Sequence, residues 1–195
     1  MATSRCNADD AGFSLAEVAI ATAILAFSLA SLAQLFGFAT STNRGARNTT
    51  FATVLAYQKI EQLRGLTYGF DPLGLPTTDT GTDTAVTPAP TSGGTGLTPS
   101  PAGALGANTA GYVDYLDRNG QSLCVSSGAC GGSVPANTVY IRRWSIEPMP
   151  TNPNNTLILQ VLVTRRRNRG TADAGNVSRM PEEARIVSIK TRKAS

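Results

Sequence analysis

Residues 13–39 form an almost unbroken apolar run in which Glu17 is the single ionisable side chain. About 20 apolar residues suffice to cross a bilayer as a helix, so the run is long enough to span one. It is built largely of Ala and Leu, with Thr22, Ser28 and Ser31 interspersed. Small residues of this kind allow close helix-to-helix approach in lipid, so packing against copies of itself is expected. The run takes a large share of an apolar content of 41% in 195 residues, whereas residues 72–111 are nearly all Thr, Gly, Pro, Ser and Ala. A chain of this length holds about one ordinary domain, and the core of its soluble part must be small.

Glu17 is the residue that calls for an explanation. A carboxylate within an apolar segment costs about 2.5–3.5 kcal/mol on insertion scales and is normally retained with a partner. The sequence AGFSLAEV at 11–18 offers one: cleavage between Gly12 and Phe13 creates an α-amino group four residues before Glu17. Pairing of that amine with the carboxylate, on one helix or between neighbours, offsets the desolvation. A secretory signal peptide is the competing reading, with Ser28 to Ala30 as its small-residue cleavage site. Two features count against it. Arg5 is offset by Asp9 and Asp10 where a positive region belongs, and Glu17 lies inside what would be the hydrophobic core.

Gly12, Phe13, Ser14, Leu15, Ala16, Glu17 and Val18, followed by the apolar run, resemble the prepilin motif of type IV pilins and type II secretion pseudopilins. The resemblance implies removal of residues 1–12 as a leader by a prepilin peptidase, which also N-methylates Phe13, and a role for Glu17 in assembly. It further implies a single-pass protein of the bacterial inner membrane, its globular domain on the periplasmic or extracellular side, that later enters a filament. Its partners would be the peptidase, major and minor pilins or pseudopilins, the inner-membrane assembly platform and membrane lipid. The chain departs from the family pattern in its leader, where Asp9, Asp10 and Ala11 stand in place of the usual basic residues. Arg44 and Arg47 also follow the span, so the positive-inside rule does not by itself orient it.

Residues 40–70 continue the helix in amphipathic form. At 100° per residue Phe51, Ala52, Leu55, Ala56, Ile60, Leu63 and Leu66 share one half of the wheel, opposite Gln58, Glu61, Arg64 and Gly65. Val54 and Tyr57 break the pattern, and Gly37 and Gly45 are possible bends. The stretch ATVLAYQKIEQLRGL at 52–66 is similar to the same part of PilV-type minor pilins and of the I-type minor pseudopilins of type II secretion. Residues 71–111 have no apolar period and many breakers, which predicts a low-complexity insert or loop that is mobile or solvated. Strands are expected at 112–116, 139–146, 157–164 and 185–191, enough for one antiparallel sheet. The fold class that follows is α+β and pilin-like, a long N-terminal helix packed on about four strands formed within 112–195.

The remaining candidates are weaker. Asp114, Asp117 and Asn119 carry oxygen ligands of the type calcium uses, but three are too few, and 117–120 reads better as a turn ending in Asn119-Gly120. No metal site and no cofactor are expected. Once Cys6 leaves with the leader, Cys124 and Cys130 suit a short disulfide loop in an oxidising compartment, against two free thiols in a cytosolic one. Arg165, Arg166, Arg167 and Arg169 form the densest basic run, with Lys190, Arg192 and Lys193 at the other end of the last hairpin. A solvated loop is favoured there over contact with phosphates, because no aromatic residues are interleaved. With no His, no GxSxG and no phosphate loop, a catalytic reading has nothing to rest on, and the expected function is assembly. The alternatives are a type II secretion pseudopilus subunit and an adhesin or DNA-binding component at a pilus tip.

Overall fold

A computed structural model describes residues 12–86, 88, 89, 91–125, 134–166 and 183–193. One helix, α1 (Leu15–Gly65), is followed by strands β1 (Tyr68–Phe70), β2 (Pro76–Thr78), β3 (Val113–Leu116), β4 (Tyr140–Pro148), β5 (Thr156–Arg165) and β6 (Glu183–Thr191). The helix is unbroken across Gly37 and Gly45. The chain divides into two compact units, Met1–Arg44 and Gly45–Ser195.

In the first unit every described residue is exposed. The helix here is long and apolar enough to cross a membrane. Its hydroxyls are turned back onto the preceding turn: Thr22 donates to the Val18 carbonyl at 2.9 Å, Ser28 to Ile24 at 2.8 Å and Ser31 to Phe27 at 2.9 Å. Such back-bonding satisfies each hydroxyl within its own helix, the condition for a polar group to be carried in hydrocarbon.

In the second unit the helix buries Ala52, Leu55, Ala56, Lys59, Ile60 and Leu63, a stripe at helical spacing, and leaves Val54 and Tyr57 in solvent. That stripe packs on an antiparallel sheet of four strands in the order β3-β4-β5-β6. Tyr140, Trp144 and Ile146 of β4 alternate toward the helix, as do Leu157, Leu159, Val161 and Val163 of β5 and Ala184 of β6. The pairings Trp144↔Val161 and Ile146↔Leu159 keep these residues on one face, and a slip by one residue would turn the whole set to solvent. The other face is covered at β3 and β4 by a smaller cluster of Val113, Tyr115, Ile141 and Cys124. This is the α+β arrangement expected, with the four strands close to their expected positions.

The segment 71–111 differs from expectation. It contributes β2, which pairs with β1 in a small hairpin, and it sends Ala85, Leu97 and Ala104 into the core. Backbone and carboxylate hydrogen bonds replace the missing apolar period. Asp79 accepts from the Gly81 and Thr82 amides, each at 3.0 Å, and from the Thr82 hydroxyl at 2.7 Å, while the Leu97 amide donates to the Asp79 carbonyl at 2.7 Å. Glycines, lacking a Cβ, let backbone pack on backbone at distances no larger residue permits. A Cβ on Gly94 would lie 2.2 Å from the Asp83 Cα and 2.3 Å from the Thr82 carbonyl oxygen. Gly94→Ala is therefore expected to destabilise the second unit by about 1–3 kcal/mol through overpacking. Thermal melts of the detergent-solubilised chain measure it, and a melting temperature equal to the parent's would show that the segment does not pack.

Candidate functional site

Gly12, Phe13 and Ser14 are exposed and precede the helix in non-helical backbone. Ser14 is the N-cap. Its carbonyl accepts from the Glu17 amide at 3.1 Å and the Val18 amide at 3.2 Å, and its Oγ accepts from the Glu17 amide at 3.2 Å. Ser14 and Glu17 thus have the S-x-x-E spacing of a capping box, which the motif reading of the same residues did not use. Glu17 lies in the first turn, where the helix dipole favours a negative charge. The bond between Gly12 and Phe13 is two residues ahead of the first helical residue.

The second candidate was not anticipated. Asp114 of β3 lies between two cations, its Oδ2 2.9 Å from the Lys59 ammonium and 2.8 Å from Arg142 Nη2. Arg142 Nε also donates to Asp114 Oδ1 at 3.0 Å, a bidentate pairing, and its Nη1 reaches the Leu55 carbonyl at 3.0 Å. Lys59 and Asp114 are wholly buried. The Lys59 ammonium also donates to the Thr84 carbonyl and sits 4.1 Å from the centre of the Trp144 ring, a cation–π contact. One ion cluster thus ties the helix, β3, β4 and the segment carrying Thr84 together.

Burial lowers the Lys59 pKa to about 8, against an opposing pull from Asp114. Burial by itself would raise the Asp114 pKa, but the Arg142 and Lys59 charges and their hydrogen bonds outweigh it and hold the carboxyl below its ordinary value. Two cations on one wholly buried carboxylate, with both of its oxygens engaged, suit a structural tie better than chemistry. A signal for it did exist. Lys59 falls in phase with Leu55 and Leu63 on the buried helix face, Asp114 with Tyr112 and Leu116, and Arg142 with Tyr140 and Trp144.

Asp114 is engaged by the cluster and Asp117 by its own turn. Asp117 Oδ1 accepts from the Asn119 and Gln121 amides at 2.8 and 2.9 Å, and Gly120 has φ +79°. The turn expected at 117–120 is present. Among the described residues no group of three or more His, Cys, Asp or Glu is placed to hold a metal.

The C-terminal cations serve as ties. Lys190 donates to the carbonyls of Leu63, Arg64 and Leu66, satisfying acceptors left over at the end of α1. Burial, with Lys193 and Arg64 nearby, lowers its pKa. Arg192 donates to the carbonyls of Asn154, Gly69 and Thr77 and stacks 4.2 Å from the Tyr68 ring. Arg165 closes β5, and Arg166 donates to the Pro135 carbonyl at 3.2 Å; Arg167 and Arg169 lie outside the described residues. The register Thr164↔Glu183 and Leu157↔Lys190 keeps the two basic sets at opposite ends of the hairpin. Cys124 is buried and disulfide-bonded, while Cys130 lies outside the described residues.

No protein-family model, curated protein or solved structure matches this chain.

Proposed function

We propose that this chain is a minor pilin or pseudopilin, cut between Gly12 and Phe13, methylated on Phe13 and built into a type IV pilus-like filament, where it primes or caps assembly. The observation that carries the proposal is the lone carboxylate of Glu17 in the first turn of an exposed apolar helix, four residues from the bond whose cleavage would supply its counter-charge. In the membrane the amine and carboxylate neutralise one another. In the filament Glu17 meets the Phe13 amine of a neighbouring subunit while the apolar helices bundle.

Three further features support it. Gly12 and Phe13 are exposed and non-helical. The helix is long and apolar enough to span the bacterial inner membrane once. Its amphipathic continuation packs on a small antiparallel sheet that would stand on the periplasmic side. The chain acts by assembly rather than catalysis. Its partners are a prepilin peptidase, other pilin-type subunits, the assembly platform and lipid. The basic residues described at 165 and 166 have no aromatic residues among them in sequence, which sets a DNA-binding role below the structural one.

Intact mass of the membrane-extracted protein tests the proposal. The expected result is a chain beginning at Phe13 and one methyl group heavier than its sequence. Retention of residues 1–12 in cells that hold an active prepilin peptidase would overturn it, and a chain beginning after Ala30 would assign the segment to simple secretion.

A further inference from the structure

We infer that Ser14 is a positioning residue for the cleavage: by capping α1 it stops the helix short of the Gly12–Phe13 bond and presents that bond as extended chain. This rests on the cleavage proposed above and says what prepares the substrate for it. A peptidase acts on a backbone whose amide and carbonyl are free, and an α-helix ties up both in its own ladder.

The apolar run favours helix up to its first residue, and Gly12, which costs a helix about 1 kcal/mol relative to Ala, weakens another turn in front of it without forbidding one. The backbone nevertheless leaves the helix at Ser14. There the Glu17 amide, one of the orphan donors of the first turn, is met by Ser14 Oγ at 3.2 Å as well as by the Ser14 carbonyl at 3.1 Å. The hydroxyl can accept that amide only while Ser14 itself holds the non-helical conformation of a cap. Gly12, Phe13 and Ser14 are accordingly exposed and outside the helix.

Glu17, at the third helical position, belongs to the same device, because a carboxylate there complements the serine of a capping box and the positive end of the helix. The residue proposed to pair with the new amine therefore also helps define where the helix starts. An S-x-x-E pair beginning two residues after the scissile bond sets the spacing between cleavage site and membrane helix.

Bond cleavage at this site consumes one water: the Gly12 carbonyl carbon gains its hydroxyl and the Phe13 nitrogen its proton. Ser14 takes no part in that exchange and acts on the substrate's backbone alone.

The test is the initial rate of processing of the full-length chain co-expressed with an active prepilin peptidase, read as the mature fraction by intact mass. Ser14→Ala is expected to slow processing about fivefold, the factor that loss of a serine cap makes in a helix-end equilibrium. Ser14→Asp and Ser14→Asn, which cap as well, should process at close to the parental rate. Ser14→Ala combined with Leu15→Pro separates capping from direct recognition of the hydroxyl. Proline at the first helical position forces the preceding residue out of the helical region without restoring any hydroxyl. Recovery of processing in that double variant supports the inference. Ser14→Ala at the parental rate overturns it, as does a slow Ser14→Ala that Leu15→Pro leaves slow. A parent that is itself not cut overturns the cleavage proposal instead, so the two failures are distinct.

Discussion

Asp114→Ala is expected to destabilise the second unit by about 3–5 kcal/mol, the largest effect anticipated for any single substitution outside the apolar core. The reason is what it leaves behind. Lys59 is wholly buried and Arg142 nearly so, and Asp114 is the carboxylate that meets both, at 2.9 and 2.8 Å. Without it two buried cations face each other, held by backbone carbonyls and the Trp144 ring, with Asp83 the carboxylate that still acts on Lys59. Chemical denaturation of the detergent-solubilised chain, followed by Trp144 fluorescence, measures the loss; Trp144 is the single tryptophan in the sequence. A change below about 1 kcal/mol would mean that the cluster is not intact in solution. Replacing Lys59, Asp114 and Arg142 together by apolar residues of similar volume should cost far less than Asp114→Ala, since the desolvation of all three charges is removed with their attraction.

The same cluster gives stability a signed dependence on pH. The Asp114 carboxyl is held below its ordinary value of 3.8 in the folded state. Between that folded value and 3.8 the unfolded chain binds more protons, so the contribution of Asp114 is complete above 3.8 and is lost as pH falls through the folded value. Lys59 acts in the other range. Its pKa falls from 10.5 to about 8, so between those values the unfolded chain again holds the extra proton and stability rises with pH. Acid should therefore unfold the second unit, whereas Lys59 adds no instability between pH 8 and 10.5.

Glu17→Leu should reduce incorporation into filaments by more than tenfold while leaving the protein firmly in the membrane. Insertion and assembly move in opposite directions here. Removing a carboxylate from an apolar segment makes the helix easier to insert by about 2.5–3.5 kcal/mol, so poor insertion cannot explain a loss of assembly. What disappears under the proposed mechanism is the partner of the Phe13 amine, which would then have to enter the helix bundle with its charge uncompensated. Fractionation of membranes and sheared filaments measures both quantities at once. Filament incorporation equal to the parent's would remove the basis of the proposed mechanism.

The elements of this fold were legible wherever a period was strong. The run from 13 to 39 announces a helix by composition, the stripe from Ala52 to Leu63 by its spacing, and β4 by the alternation of Tyr140, Trp144 and Ile146. Asn119-Gly120 marks its turn because a glycine at φ +79° suits what the geometry there demands. The segment 71–111 was illegible for the opposite reason. Its contribution to the core comes through Ala85, Leu97 and Ala104, set far apart, and through carboxylates such as Asp79 that organise nearby amides, an arrangement with no periodic trace. β1 and β2, three residues each, are too short for alternation to register.

By itself, then, the amino-acid sequence determined the membrane-type helix, the isolated acid within it, the amphipathic continuation and the four-stranded antiparallel sheet, because each is written in local periodicity or in the cost of a charge in an apolar run. Only the tertiary structure decided that Lys59, Asp114 and Arg142 meet, that Lys190 closes the end of the helix and that a Gly- and Thr-rich segment is part of the core. Lys59 and Asp114 lie 55 positions apart in the chain, and Asp114 and Arg142 are 28 apart. A one-dimensional pattern can show that each charge falls on an inward phase, but the partner that makes its burial tolerable is chosen by strand register and by where the helix lies on the sheet.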